Sequence, residues 1–350
     1  MLGPHGPFFS PYYKASVVSD HSAAYYQLGP LKQYFLREDV FEIRINKPGQ
    51  VVCDTFSGRQ FFDNPEIDDK FVNNLTLALT SHNGVRRESI NNVVLPDGSR
   101  GIICLPPAVI DGSFAIAFRK NIALEKDMAT LDVEGIFDSC EQVSGGEQQL
   151  GQDDLFLKEL HSSEKWSEFL MHAVQKKRTV VVAGATGSGK TVLTRALLKA
   201  ISSKERVVIM EDVHEVEATH LEEAIYMLYG AKGQGGRVQP AECLKACMRL
   251  TPERIMMTEL RDDAAWDYLQ ALNTGHPGGL MSTHANSSRD AYNRIGLLIK
   301  ATSIGRMLDI ADIMRMLYST IDIVVYMEKR KIKEIYFDPD YKLKCVNGLN

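Results

Sequence analysis

Residues 179–201, TVVVAGATGSGKTVLTRALLKAI, restrict the fold more than any other stretch of this chain. A short apolar run stops at a glycine-rich loop, and a helical pattern of apolar residues starts directly behind it. The loop, Gly184-Ala185-Thr186-Gly187-Ser188-Gly189-Lys190-Thr191, fits G-x-x-x-x-G-K-[ST] in the strand-then-helix setting that the pattern needs. Its glycines let backbone N–H groups turn inward around phosphates. Lys190 is then placed to reach the β- and γ-phosphates, and the Thr191 hydroxyl to hold Mg²⁺. ATP with Mg²⁺ is therefore the expected ligand. A chance glycine loop, the plainer alternative, leaves both flanks unexplained.

Three more short apolar runs follow, separated by helical segments: RVVIM (206–210), RIMM (254–257) and GLMS (279–282). Strands alternating with helices imply a parallel, doubly wound sheet, an α/β fold. The runs lead into Gly184, Glu211, Glu259 and His284. The carboxyl ends of parallel strands share one edge, and ligands bind there. Hydrolysis needs one carboxylate to orient or deprotonate water and another to hold Mg²⁺, usually through water. Glu211, followed by Asp212, and Glu259 are the candidates, with Glu211 expected to act on the metal through water. A helix cap or an ion-pair partner is the structural alternative for either acid.

His284 admits several readings. A His/Glu/Glu metal site with Glu211 and Glu259 is conceivable, but the phosphate loop already accounts for the metal as Mg²⁺, which rarely takes imidazole. A structural histidine is another possibility. The preferred reading is a hydrogen-bond donor that senses the γ-phosphate. His276, ahead of Pro277-Gly278-Gly279, reads as a turn residue.

At 350 residues the chain is long enough for two domains. Residues 1–30, rich in Pro, Gly and Tyr, read as a flexible arm on an α+β domain that reaches to 120. Phe41, Ile43 and Ile45 alternate with polar neighbours, KPGQ turns the chain into VVCDTF, and KFVNNLTLALTSH (70–82) fits a helix. A second hairpin turns at PDGS, and SFAIAF alternates up to Arg119. Residues 121–155 show no sustained periodicity and read as a linker. The remaining residues, 156–350, carry the phosphate loop.

A net charge of -5 with no Lys/Arg block argues against sequence-specific nucleic-acid binding. The longest apolar runs fall far short of a bilayer span, and the N-terminus lacks the features of a secretory signal, so a cytoplasmic protein is expected. The six cysteines form no pair of CxxC motifs. Cys243 and Cys247 share a helical face and read as small buried residues.

These motifs, in this order, resemble the secretion traffic ATPases, in particular the hexameric ATPases of type IV secretion and plasmid conjugation. GATGSGKT is similar to the Walker A motif of that family, RVVIMEDVHEV to its Asp box, MRLTPERIMMTELR to its Walker B strand and NTGHPGGLMSTHANS to its His box. DVFEIRINKPGQV and LPDGSRGIICLPPAV resemble segments of its first domain. The resemblance implies a RecA-like P-loop domain behind a smaller α+β domain. Lys190 and Thr191 would bind phosphate and Mg²⁺, Glu211 would be the Asp-box acid, Glu259 the Walker B acid and His284 the His-box histidine. Arg100 and Arg119 match the first-domain arginines that reach toward the phosphates. It also implies a ring-shaped homo-hexamer, peripheral to the inner membrane, that contacts inner-membrane channel components during substrate transfer and pilus assembly. Three positions depart from the pattern: Thr258 and Asp262 stand where glycine is frequent, and Val192 where a second threonine is common. A type II secretion or pilus ATPase is the near alternative, disfavoured by the missing four-cysteine insertion. A P-loop small-molecule kinase and a non-catalytic nucleotide-gated scaffold are the more distant ones.

Overall fold

The computed structural model describes residues 22–121, 126–142, 149–230, 238–261 and 264–348, which fall into two compact units. The described residues within 1–103 and 114–147 make the first unit; residues 104–113 belong with those after 148 to the second.

The first unit begins with α1 (Ala23–Gln27), capped by Ser22 Oγ accepting from the Tyr25 N–H, and α2 (Lys32–Phe35). Residues 22–30 thus depart from the expected loose arm. Ala24 and Leu28 are buried, and that apolar anchorage orders the segment, while residues 1–21 lie outside the described residues. Next come β1 (Val40–Ile45), β2 (Gln50–Thr55), β3 (Gly58–Asp63), α3 (Asp69–His82), β4 (Ile90–Val94), β5 (Arg100–Cys104), β6 (Ala115–Arg119) and α4 (Met128–Val133). The six strands form one sheet ordered β3-β2-β1-β6-β5-β4, with β1 antiparallel to β2 and β6. The α3 helix starts where Asp68 accepts from the Phe71 N–H at 2.6 Å, and it buries Phe71, Val72, Leu75 and Leu79 on one face.

The second unit contains α5 (Gln152–Ser162), α6 (Trp166–Gln175), β7 (Val180–Gly184), α7 (Lys190–Leu198), β8 (Arg206–Glu211), β9 (Glu223–Leu228), α8 (Pro240–Arg249), β10 (Arg254–Met257), α9 (Ala264–Asn273) and β11 (Leu280–Thr283). It closes with α10 (Ser288–Ala301), α11 (Ile310–Thr320), β12 (Ile323–Glu328), β13 (Lys331–Phe337) and α12 (Pro339–Val346). Its sheet runs β13-β12-β7-β11-β10-β8-β9, and β7 to β12 are mutually parallel where they pair. Only β13, paired to β12, runs antiparallel. Val180, Val181, Val182 and Ala183 are all buried, as a strand covered on both faces requires. Cys243 and Cys247 are fully buried on α8.

The register fixes where chemistry can gather. Thr283 pairs with Ala183, Met257 with both Met281 and Met210, and Met327 with Gly184. The residues following β7, β8, β10, β11 and β12 therefore emerge at one edge of the sheet. Among the described residues, no helix is long and apolar enough to cross a membrane.

Candidate active site at the carboxyl edge of the parallel sheet

The phosphate loop is shaped by backbone that side chains would block. A Cβ on Gly184 would lie 2.4 Å from the Met327 carbonyl oxygen and 2.5 Å from Ser188 Oγ. Gly187 and Gly189 have φ of 74° and 99°, the left-handed region that glycine enters freely. Gly189 is the N-cap of α7, so Lys190 and Thr191 open the helix. Ala185, Thr186 and Gly187 are exposed along the loop, and Ser188 is buried beneath it. Lys190 Nζ donates to the carbonyls of Gly184 at 2.8 Å and Ala185 at 3.0 Å. Burial lowers its pKa, while Glu259 pulls the other way.

A cleft of about 320 Å³ opens over this loop. Lys190 and Thr191 line it on one side, and Asp212, Glu259, Arg261 and His284 face them from the ends of β8, β10 and β11. His284 Nε2 lies 3.1 Å from Glu259 Oε1. Arg261 pairs with the other Glu259 oxygen and sits 3.3 Å from Asp212 Oδ2. Burial would raise the Glu259 carboxyl, but Arg261, His284 and Lys190 outweigh it and hold the group below the ordinary glutamate range. The same bond to Glu259 raises the Arg261 pKa further. The carboxylate is thus ionised and flanked by cations across the neutral range. Beneath it, the Tyr229 hydroxyl donates to the Glu259 carbonyl at 3.1 Å.

Glu211 is placed differently from the expectation that it works on Mg²⁺ through water. Its side chain is fully buried and absent from the cleft lining. Oε1 accepts from the N–H groups of Glu215 (3.1 Å) and Val216 (2.9 Å), and Oε2 lies 2.8 Å from His214 Nδ1. Burial raises its pKa against these bonds. The carboxylate is committed to holding residues 214–216 in shape, and its neighbour Asp212 faces the cleft instead. Glu211→Gln should therefore destabilise the fold by about 1–3 kcal/mol, because a neutral amide oxygen accepts more weakly from the two N–H groups and its NH2 faces His214 Nδ1 where the carboxylate accepted. Denaturant unfolding measures this; unchanged stability with lost turnover would restore a chemical role for Glu211.

The two histidines separate. His276 Nδ1 donates to the Pro252 carbonyl at 2.8 Å, in the turn before β11 and opposite the chemistry-bearing edge. Thr258 lines the cleft with its hydroxyl donating to the Met210 carbonyl at 3.2 Å, so the departure from glycine removes no reacting group. Val192 points away, largely exposed, and Asp262 lies outside the described residues. Arg100 and Arg119 are exposed on neighbouring strands of the first unit. A Cβ on Gly101 would touch Phe118, so the two arginines share one end of that sheet.

Sequence reasoning missed Arg261, Tyr229, Thr194 and Ser282. Two had a signal. Arg261 lies two residues beyond Glu259 in the same short segment after β10, and Thr194 follows Lys190 by one helical turn.

Oxygen ligands suit Mg²⁺, and Thr191 and Asp212 bring two to the cleft beside Lys190.

Comparison with known proteins identifies relatives of this chain. Residues 148–328 match the family described as Type II/IV secretion system protein. The type IV secretion system protein VirB11 of Bartonella henselae is 32% identical over 340 residues, covering 93% of this chain and 95% of that protein. PtlH of Bordetella pertussis, also a type IV secretion system protein, is 32% identical over 317 residues, 87% of this chain and 90% of its own. The crystal structure of the VirB11 ATPase from the Brucella suis type IV secretion system, in complex with sulphate, superposes with a TM-score of 0.87 at 29% identity, over 93% of this chain and 97% of that one. The chain belongs to the type II/IV secretion system protein family, on the branch that holds VirB11 of type IV secretion systems.

Proposed function

We propose that this chain hydrolyses ATP to power transfer through a type IV secretion machine. The carrying observation is the convergence of Lys190, Thr191, Asp212, Glu259, Arg261 and His284 on one cleft. Lys190 and the loop N–H groups hold the phosphate chain of the substrate. Glu259, ionised and backed by Arg261, orients water and takes its proton as the water oxygen attacks the γ-phosphorus and the bond to the β-γ bridging oxygen breaks. His284, on the same cleft, is assigned to donate to a γ-phosphate oxygen. Thr191 and Asp212 would hold Mg²⁺, which when bound neutralises charge developing on the phosphates. Arg100 and Arg119 are assigned to the phosphates on the family resemblance alone. By the same resemblance the working form is a homo-hexameric ring, cytoplasmic and peripheral to the inner membrane, with channel components as partners.

The test is phosphate release from Mg-ATP by the purified protein, with and without phospholipid vesicles and with no phosphoryl acceptor added. Release without acceptor supports hydrolysis; a strict need for an acceptor points to a kinase; binding without release points to a scaffold. His284→Ala should lower turnover roughly tenfold to a hundredfold and leave ATP affinity nearly unchanged. Intact turnover in that variant makes His284 structural.

A further inference from the structure

The β12–β13 hairpin carries an irregularity that hydrolysis at Glu259 does not use. Glu328 pairs with Lys331, so Lys329 and Arg330 form a two-residue turn, with φ of 49° and 62°. Such turns favour Asn-Gly, because both central residues must enter the left-handed region. Two long cationic side chains here are strained, and strain of this kind persists where surroundings fix it, often at ligand clamps. The fixing contacts are visible. The Arg330 N–H donates to the Ser188 carbonyl at 3.1 Å, and a Cβ on Gly189 would lie 3.5 Å from the Arg330 Cα. A register shift between Tyr326 and Met327 bends the strand as it approaches the phosphate loop.

The sheet order decides which part of a ligand this turn addresses. β12 lies on one side of β7, whereas β11, β10 and β8, which deliver His284, Glu259 and Asp212, lie on the other. The groups for the γ-phosphate are thus on the far side of the loop from Arg330. We propose that Arg330 is a further nucleotide-binding residue, its exposed guanidinium taking the α-phosphate side of a nucleoside di- or triphosphate held on the phosphate loop. This rests on the phosphate-loop reading above. Since the α-phosphate is common to ATP and ADP and is not the reacting centre, the contact contributes to binding and leaves the chemical step alone.

Arg330→Gly tests it, because glycine relieves the left-handed strain and removes the guanidinium; thermal unfolding at or above the wild-type midpoint is expected. Calorimetric titration of the whole protein with ADP, and KM with kcat for ATP, give the readout. Arg330→Gly should weaken ADP binding and raise the ATP KM by a similar factor, roughly tenfold, with kcat within about twofold of wild type. Arg330→Lys should recover part of the loss, and Lys333→Ala, removing a cation farther along β13, should change neither. Wild-type ADP affinity in Arg330→Gly overturns the proposal, as does a fall in kcat with ADP affinity intact. Failure of the wild-type protein to bind ADP would instead sink the nucleotide reading itself.

Discussion

Lys190→Ala should bring ATP turnover to background, a loss of roughly a thousandfold or more on the scale of deleting a preorganised charge at a reacting phosphate. The ammonium is held at the mouth of the loop by the carbonyls of Gly184 and Ala185, with the Glu259 carboxylate acting on it as a counter-charge. Partial burial lowers its pKa while the Glu259 carboxylate opposes that shift, and the ammonium lines the cleft where the phosphate chain is expected. Alanine keeps the helix start, since Gly189 sets the turn, and the fold should survive. Phosphate release and thermal unfolding, measured together, check this. Turnover within about tenfold of wild type, with unfolding unchanged, would show that the chemistry is elsewhere.

What was legible in the sequence follows from how local each cause is. The phosphate loop could be read because its glycines, lysine and flanks are contiguous, and burial on both faces makes Val180–Ala183 uniformly apolar. The strands β3, β9 and β13 were not legible. Glu223–Leu228 alternates buried and half-buried positions, and Lys331–Phe337 is an exposed edge strand whose lysines guard against further pairing. Tertiary pairing makes those segments strands; their own pattern does not.

The acids show a finer limit. Glu211 and Asp212 are adjacent at the end of β8, and successive side chains of a strand point to opposite faces. The motif places the pair at the edge but cannot say which member faces the cleft. The backbone N–H groups of Glu215 and Val216 decide it by capturing Glu211. Arg261 was hidden for a related reason: an arginine two residues after an acid is common surface chemistry. Its importance comes from Asp212 arriving on a different strand.

Glu259→Gln is the sharper test of the mechanism, since it changes one charge and almost no volume. The amide oxygen can still accept from Arg261, while the NH2 in place of the other oxygen faces His284 as a donor, so one of the two contacts is kept. Lost are the negative charge and the capacity to take a proton. Hydrolysis should slow by roughly a hundredfold to ten-thousandfold. Affinity should move the other way or stay level, because the carboxylate is an anion beside the bound phosphates and opposes them until Arg261 and Lys190 compensate. The depressed pKa of Glu259 adds a check on pH. In the wild type the carboxylate stays ionised as pH falls toward the ordinary glutamate range, so its loss by protonation should appear only below that range, and the Gln variant should lack that acid limb. Single-turnover hydrolysis and ATP binding, compared in the same preparation, separate the two effects. A variant that binds and hydrolyses at the wild-type rate would remove Glu259 from the chemistry. A variant that loses binding and turnover together would make Glu259 a group that holds the site in shape, leaving Asp212 as the acid to examine.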